Sequence, residues 1–115
     1  MIAHVVLFAP RPDLAAADRR ALIVAFERAV REIPSVRGFR VGRRVTHGAG
    51  YEQRSSPAVD FFVVVDFDDL AGLQTYLRHP AHEELGARFA QSVSSAWVYD
   101  FDADGLEGLQ PGGLP

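Results

Sequence analysis

The chain has 115 residues, a net charge of −3, 48% hydrophobic and 10% aromatic residues, which describes one compact domain and excludes a disordered tail or a fibre. It contains no cysteine, and its 12 positive charges are all arginines. Disulfides, thiolate nucleophiles, cysteine–zinc sites, Schiff bases and phosphate-loop lysines are therefore excluded. A mildly acidic chain also lacks the basic footprint of a nucleic-acid binder, so no nucleic-acid partner is expected. Arg37, Arg40, Arg43 and Arg44 cluster in sequence, but on a strand Arg40 and Arg44 point one way and Arg43 the other, as on a solvated edge. No apolar run approaches the ~18 to 20 residues of a membrane span, and no signal-peptide pattern opens the chain, so the expectation is a cytoplasmic protein without a membrane partner.

Ile2 to Ala9 is a nearly continuous apolar run closed by Pro10 and Pro12, the pattern of a central strand. Asp13 stands where an N-cap belongs, and Leu22, Phe26, Ala29, Val30 and Ile33 recur at helical spacing until Pro34. From Val36 to Thr46, Phe39, Val41 and Val45 alternate with Arg40, Gly42 and Arg44, which predicts a half-buried edge strand. Gly48, Gly50, Ser55, Ser56 and Pro57 mark a long hairpin loop. Val59 to Phe67 is apolar on both parities and reads as a second central strand. Asp68 or Asp69 then caps a short helix carrying Leu70, Leu73 and Leu77. His79-Pro80 breaks it, since a residue before proline is pushed out of the helical region while proline suits the first turn of a new helix. That helix carries His82, Leu85, Phe89 and Val93; Ala96 to Phe101 is the last strand, with Trp97, Tyr99 and Phe101 on one parity. Residues 1–103 thus form the domain, and 104–115, which lack periodicity, are expected to be a flexible tail.

The order strand, helix, strand, strand, helix pair, strand is the split βαβ plan, an α+β ferredoxin-like βαββαβ fold. It has a four-stranded antiparallel sheet with the first and third strands in the middle and the helices on one face. Strands one, three and four carry large apolar residues on both parities, so the second face also needs a cover. The expected cover is a second copy of the sheet, giving a homodimer through sheet faces. The competing account is a hydrophobic face that takes a lipid-like ligand.

With lysine and cysteine gone, four histidines supported by tyrosines and carboxylates are left to move protons near neutral pH. His82 is the third residue of the helix starting at Pro80 and continues the Leu85, Phe89 stripe, so it should face the sheet. Burial and the helix N-terminus both disfavour its charged form, leaving a neutral imidazole available as a base; the alternative is a core-edge histidine satisfied by backbone. Tyr76, six residues earlier, is either a hydrogen-bond donor to a substrate oxygen or an amphipathic side chain with its hydroxyl wet. His4, in the first strand, is a pocket wall or a strand-end histidine that needs a partner. His79 and His82 lie three apart, but no further ligand completes a set, so no metal is expected. His47 is expected to be exposed, and Glu83 and Glu84 are explained by the helix dipole.

Met1-Ile2-Ala3-His4-Val5-Val6-Leu7-Phe8, Phe67-Asp68-Asp69-Leu70, Tyr76-Leu77-Arg78-His79-Pro80-Ala81-His82 and Trp97-Val98-Tyr99-Asp100-Phe101 together resemble the stress-responsive A/B barrel (Dabb) family of dimeric α/β barrels, over residues 1 to about 103. The resemblance implies a ferredoxin-like protomer whose sheet packs on its partner's. Some members are known only as stress-induced, heat-stable proteins. A plant member closes a linear polyketide by an aldol reaction without a cofactor, and its catalytic tyrosine and histidine fall on Tyr76 and His82, a first-strand histidine on His4. Two functions follow as expectations. One is a homodimeric stress-responsive protein that binds a small hydrophobic or aromatic ligand between helices and sheet, through His4, His79, Leu73, Leu85 and Phe89. The other is a cofactor-independent, polyketide-cyclase-like enzyme with His82 as base and Tyr76 as hydrogen-bond donor. Neither requires a cofactor. A cofactor-free monooxygenase with Trp97 near its site and a purely structural subunit assembled through its tail are further alternatives.

Overall fold

The two continuous apolar runs become the two inner strands. In a computed structural model that describes residues 1–54 and 59–111, β1 (Ile2–Pro10) and β3 (Phe61–Phe67) pair antiparallel at the centre of a four-stranded sheet. Its edges are β2 (Gly38–Arg43) and β4 (Val93–Asp102), in the order β2-β3-β1-β4. Helix α1 (Ala16–Glu32) follows β1, and α2 (Leu70–Arg78) and α3 (Pro80–Ser92) lie between β3 and β4. This is the βαββαβ fold expected from the element order.

Alternation along the inner strands decides what meets the helices. His4, Val6 and Phe8 of β1 and Val63, Val65 and Phe67 of β3 are buried on one face. Against them pack Leu22, Ala25 and Ala29 of α1, Leu73 and Tyr76 of α2, and Ala81 and Leu85 of α3. Each large apolar side chain fully removed from water there contributes about 1.5–3 kcal/mol. The ion pairs of Arg28 with Glu32 and with Glu84 tie α1 to α3 at the surface.

The other parity builds the opposite face. The register aligns Val5 with Val64 and Tyr99, and Leu7 with Phe62 and Trp97, so these side chains form one apolar surface with Phe101. Tyr99 and Phe101 are each 54% exposed. Arg40 lies on this face, whereas Arg43 lies on the helix face with its guanidinium 5.7 Å from the Phe61 ring. The chain after β2 arches over one end of the open face. Glu52 accepts from the backbone N–H groups of His47 and Gly48, which holds a 3-10 turn at Gly50–Gln53. Tyr51, Glu52 and Arg54 of that arch border a concavity of about 730 Å³ whose floor includes Leu7, Phe62, Trp97 and Tyr99.

Several boundaries depart from the sequence expectation. Asp13 is not the N-cap of α1: the cap is Ala15, with no side-chain hydrogen bond. The Leu14 N–H instead closes a turn onto the Arg11 carbonyl, and Asp13 sits 3.7 Å from the Arg11 guanidinium. β2 is shorter than residues 36–46, since pairing with β3 runs only from Gly38 to Arg43. β4 begins at Val93, which pairs with Pro10 and does not belong to the helix; α3 ends at Ser92, whose hydroxyl bonds back to the Arg88 carbonyl. Beyond Asp102, residues Gly105–Leu109 form a 3-10 turn where no periodicity is visible in sequence. Ser55, Ser56 and Pro57 of the expected loop, and residues 112–115 of the expected tail, lie outside the described residues.

Candidate functional site

The His79-Pro80 break aims the site. His79 is at once the C-cap of α2 and the N-cap of α3: its backbone is extended, and its Nδ1 accepts from the Ala81 N–H at 3.0 Å. The chain therefore turns sharply between Tyr76, in the last turn of α2, and His82, in the first turn of α3. Their rings meet with centroids 4.6 Å apart. The Tyr76 ring also packs at 5.1 Å on Phe67 of β3 and at 5.9 Å on His4 of β1, so four rings from four elements converge under the helices.

The rings of His4, Tyr76 and His82 wall one end of a cavity of about 220 Å³ between the helices and the sheet. Its remaining lining is Val6, Phe26, Val63, Val65, Leu77, Leu85, Gly86, Phe89 and Val98. Of the residues singled out in sequence, the cavity gathers His4, Tyr76, His82, Leu85 and Phe89. It leaves out two. His79 is turned to its capping role, and Leu73 is buried in the core, away from the lining. His47 is exposed in the arch after β2, with its Nε2 3.0 Å from the Tyr51 hydroxyl.

The electrostatics of the three polar groups differ. Burial pushes the Tyr76 phenol up to about 12, so at neutral pH it keeps its proton and can donate. Burial, and next the proximity of His4, lower His82 below the ordinary imidazole range, while a backbone hydrogen bond to Leu77 acts in the opposite direction. The cavity wall thus presents a neutral imidazole beside an intact phenol. His4 is 6% exposed and its Nδ1 lies 2.6 Å from Oδ1 of Asp100. A carboxylate only accepts, so Nδ1 carries the proton and Nε2 is the ring nitrogen left for the cavity. Among the described residues the Tyr76 hydroxyl has no protein hydrogen-bond partner, yet no buried side-chain polar atom is left unsatisfied, so that hydroxyl opens onto accessible space.

Asp100 is the polar residue that sequence reasoning misses. The signal was available: once β1 and β4 are paired antiparallel, His4 and Asp100 become direct cross-strand partners on the helix face. Among the described residues, no three histidine, aspartate or glutamate side chains come together as a metal ion would require, and no helix is long and apolar enough to cross a membrane.

The model of the stress-responsive A/B barrel domain matches residues 2–103. No curated protein matches the chain. Among solved structures, a dimeric ferredoxin-like protein of unknown function from Thermobifida fusca is 25% identical, with a TM-score of 0.68 over 87% of this chain and 88% of its own. A Dabb family protein with a ferredoxin-like fold from Mesorhizobium loti is 20% identical, with a TM-score of 0.68 over 90% of this chain and 97% of its own. The hydroxynitrile lyase of Passiflora edulis shares the fold at 12% identity, with a TM-score of 0.77 over 90% of this chain and 94% of its own. With its family model spanning nearly every strand and helix, the chain belongs to the stress-responsive A/B barrel (Dabb) domain family.

Proposed function

We propose that this protein is a homodimeric stress-responsive A/B barrel protein that binds a small hydrophobic or aromatic molecule in the cavity between helices and sheet. The observation that carries the reading is the convergence of Tyr76, His82 and His4 on a cavity otherwise lined by apolar side chains, with the Tyr76 hydroxyl lacking a protein partner. A mostly apolar pocket with a few converging polar groups is the ordinary form of a small-molecule site. Its size sets a limit. A cavity of about 150 Å³ holds benzene, so about 220 Å³ suits one ring with short substituents. The dimer reading rests on the open sheet face of Val5, Leu7, Phe62, Val64, Trp97, Tyr99 and Phe101, which one protomer leaves uncovered, and on the dimeric relative from Thermobifida fusca. Titration of the protein with phenol, followed by backbone amide NMR, tests the ligand reading: shifts confined to residues around His82, Leu85 and Phe89 are expected, and no saturable shift there would sink it.

A second reading is favoured by the protonation states of the Tyr76–His82 pair, which suit cofactor-free carbonyl chemistry. In this reading the substrate is a linear polyketone that closes to a single ring. For heptane-2,4,6-trione, His82 removes a proton from the terminal methyl group and the resulting enolate carbon adds to the far carbonyl. Tyr76 donates to the developing oxyanion, His82 returns the proton to that oxygen, and loss of water with tautomerisation gives 5-methylresorcinol. Formation of that product above the uncatalysed rate is the test. Tyr76→Phe and His82→Ala should each lower turnover far more than they weaken phenol; no rate above background removes this reading and leaves the first standing.

A further inference from the structure

We infer that Gly86 is the specificity-determining position of this cavity: the absence of a side chain there leaves the room that admits an uncharged, single-ring molecule. The inference rests on the ligand-binding reading above and adds to it the residue that sets the size limit and the charge class of what enters.

Gly86 lies in the interior of α3, where glycine is disfavoured relative to alanine because it loses more backbone freedom on folding. The usual reasons for a glycine do not apply to it. Among the described residues only Gly48 and Gly105 have positive φ, so Gly86 has ordinary helical geometry. No neighbour approaches closely either: a Cβ on Gly86 would have no heavy atom within 4 Å, whereas a Cβ on Gly42 would fall 2.2 Å from the Phe62 ring. Nor does Gly86 merely face solvent, because it is partly buried and borders the cavity. What its missing side chain preserves is that space.

Helix geometry shows what a side chain would do there. His82, Gly86 and Phe89 follow the i, i+4, i+7 stripe of one face, and helical side chains lean toward the N-terminus. A side chain at position 86 would therefore extend over the cavity between the Phe89 ring and the His82 imidazole. The charge class follows from the walls, which include no arginine, aspartate or glutamate. An anion would lose its hydration without gaining a counter-charge, while a neutral phenol or ketone needs only the hydrogen bonds that Tyr76, His82 and His4 can supply.

The test is calorimetric titration of the full chain with phenol, 4-propylphenol and benzoate at pH 7. Wild type should bind phenol at least tenfold more tightly than benzoate. Gly86→Leu should weaken phenol at least tenfold without lowering the melting temperature, since leucine is the better helix former. Gly86→Ala, the mildest change, should keep phenol and weaken 4-propylphenol several-fold. Unchanged phenol affinity in Gly86→Leu, or unchanged discrimination in Gly86→Ala, overturns the role of Gly86 while the ligand reading stands. Benzoate binding as tightly as phenol overturns the charge class. Wild type that binds neither phenol shows that the ligand reading itself has failed, and the inference falls with it.

Discussion

Nδ1 of His4 donates to Oδ1 of Asp100 at 2.6 Å across the β1–β4 pair, so a buried ring on an inner strand is held by a carboxylate on the edge strand. The Asp100 side chain is 45% exposed, which screens the charge, but His4 is buried and depends on this partner. Asp100→Leu leaves the Nδ1–H without an acceptor and should destabilise the protein by about 1–3 kcal/mol. Asp100→Asn keeps an acceptor oxygen and should lose clearly less. Urea unfolding midpoints measure the difference, and imidazole nitrogen shifts of His4 should report a protonated Nδ1 in wild type and Asp100→Asn. Equal losses in the two variants would show that the hydrogen bond does not hold the ring.

Much of the architecture was legible because the chemistry of each strand differs. Continuous apolar runs at Ile2–Ala9 and Val59–Phe67 needed two covered faces, and they are the inner strands; alternation around Phe39 and Val41 needed one, and that strand is an edge. Helical spacing likewise brought His82, Leu85 and Phe89 to one wall. What could not be read was set by contacts between distant segments. Asp13 looks like a cap, but the Arg11–Leu14 turn and the bond from the Arg11 N–H to the Ser92 carbonyl fix the entry to α1 two residues later. His79 looks like a site histidine because it neighbours one, yet its Nδ1 is taken by the Ala81 N–H. Asp100 is silent in sequence because its role exists only in the register.

Tyr76 separates a structural from a functional role in one substitution. Its ring is 2% exposed and packs on Phe67, His82 and His4, so Tyr76→Ala should cost about 3–5 kcal/mol, the range for truncating a buried aromatic. Its hydroxyl has no protein partner among the described residues, so Tyr76→Phe should change stability by no more than about 0.5 kcal/mol. A large loss in Tyr76→Phe would mean that the hydroxyl serves the fold. The same variant should delete the phenolate absorbance that rises only near pH 12, because burial holds the Tyr76 proton that far.

His82 makes stability depend on pH with a definite sign. Its folded-state affinity for a proton is lower than in the unfolded chain, chiefly through burial and next through His4. The unfolded state therefore binds more protons in the window below the ordinary imidazole value of 6.5, and stability rises with pH there. His82 contributes its full stabilisation above that value and loses it progressively as the solution is acidified. The melting temperature of wild type should accordingly fall more between pH 7.5 and 5.5 than that of His82→Gln. Parallel pH profiles for the two proteins would show that His82 is not the group responsible.

The open sheet face predicts what a single charge should do to assembly. Tyr99 is 54% exposed in one protomer, so Tyr99→Asp should alter the stability of an isolated chain little. In an isologous pair the same substitution enters the interface twice, and two carboxylates would have to be buried without partners, a penalty that removes a stable complex. Wild type should sediment at twice the 12.6 kDa chain mass at micromolar concentration, and Tyr99→Asp at the mass of one chain. Val24→Asp provides the comparison, because Val24 is 61% exposed but lies on α1, away from the sheet face, and should leave assembly unchanged. Wild type sedimenting as a monomer would remove the dimer outright. Dimers that survive Tyr99→Asp but are lost in Val24→Asp would move the interface from the sheet to the helices.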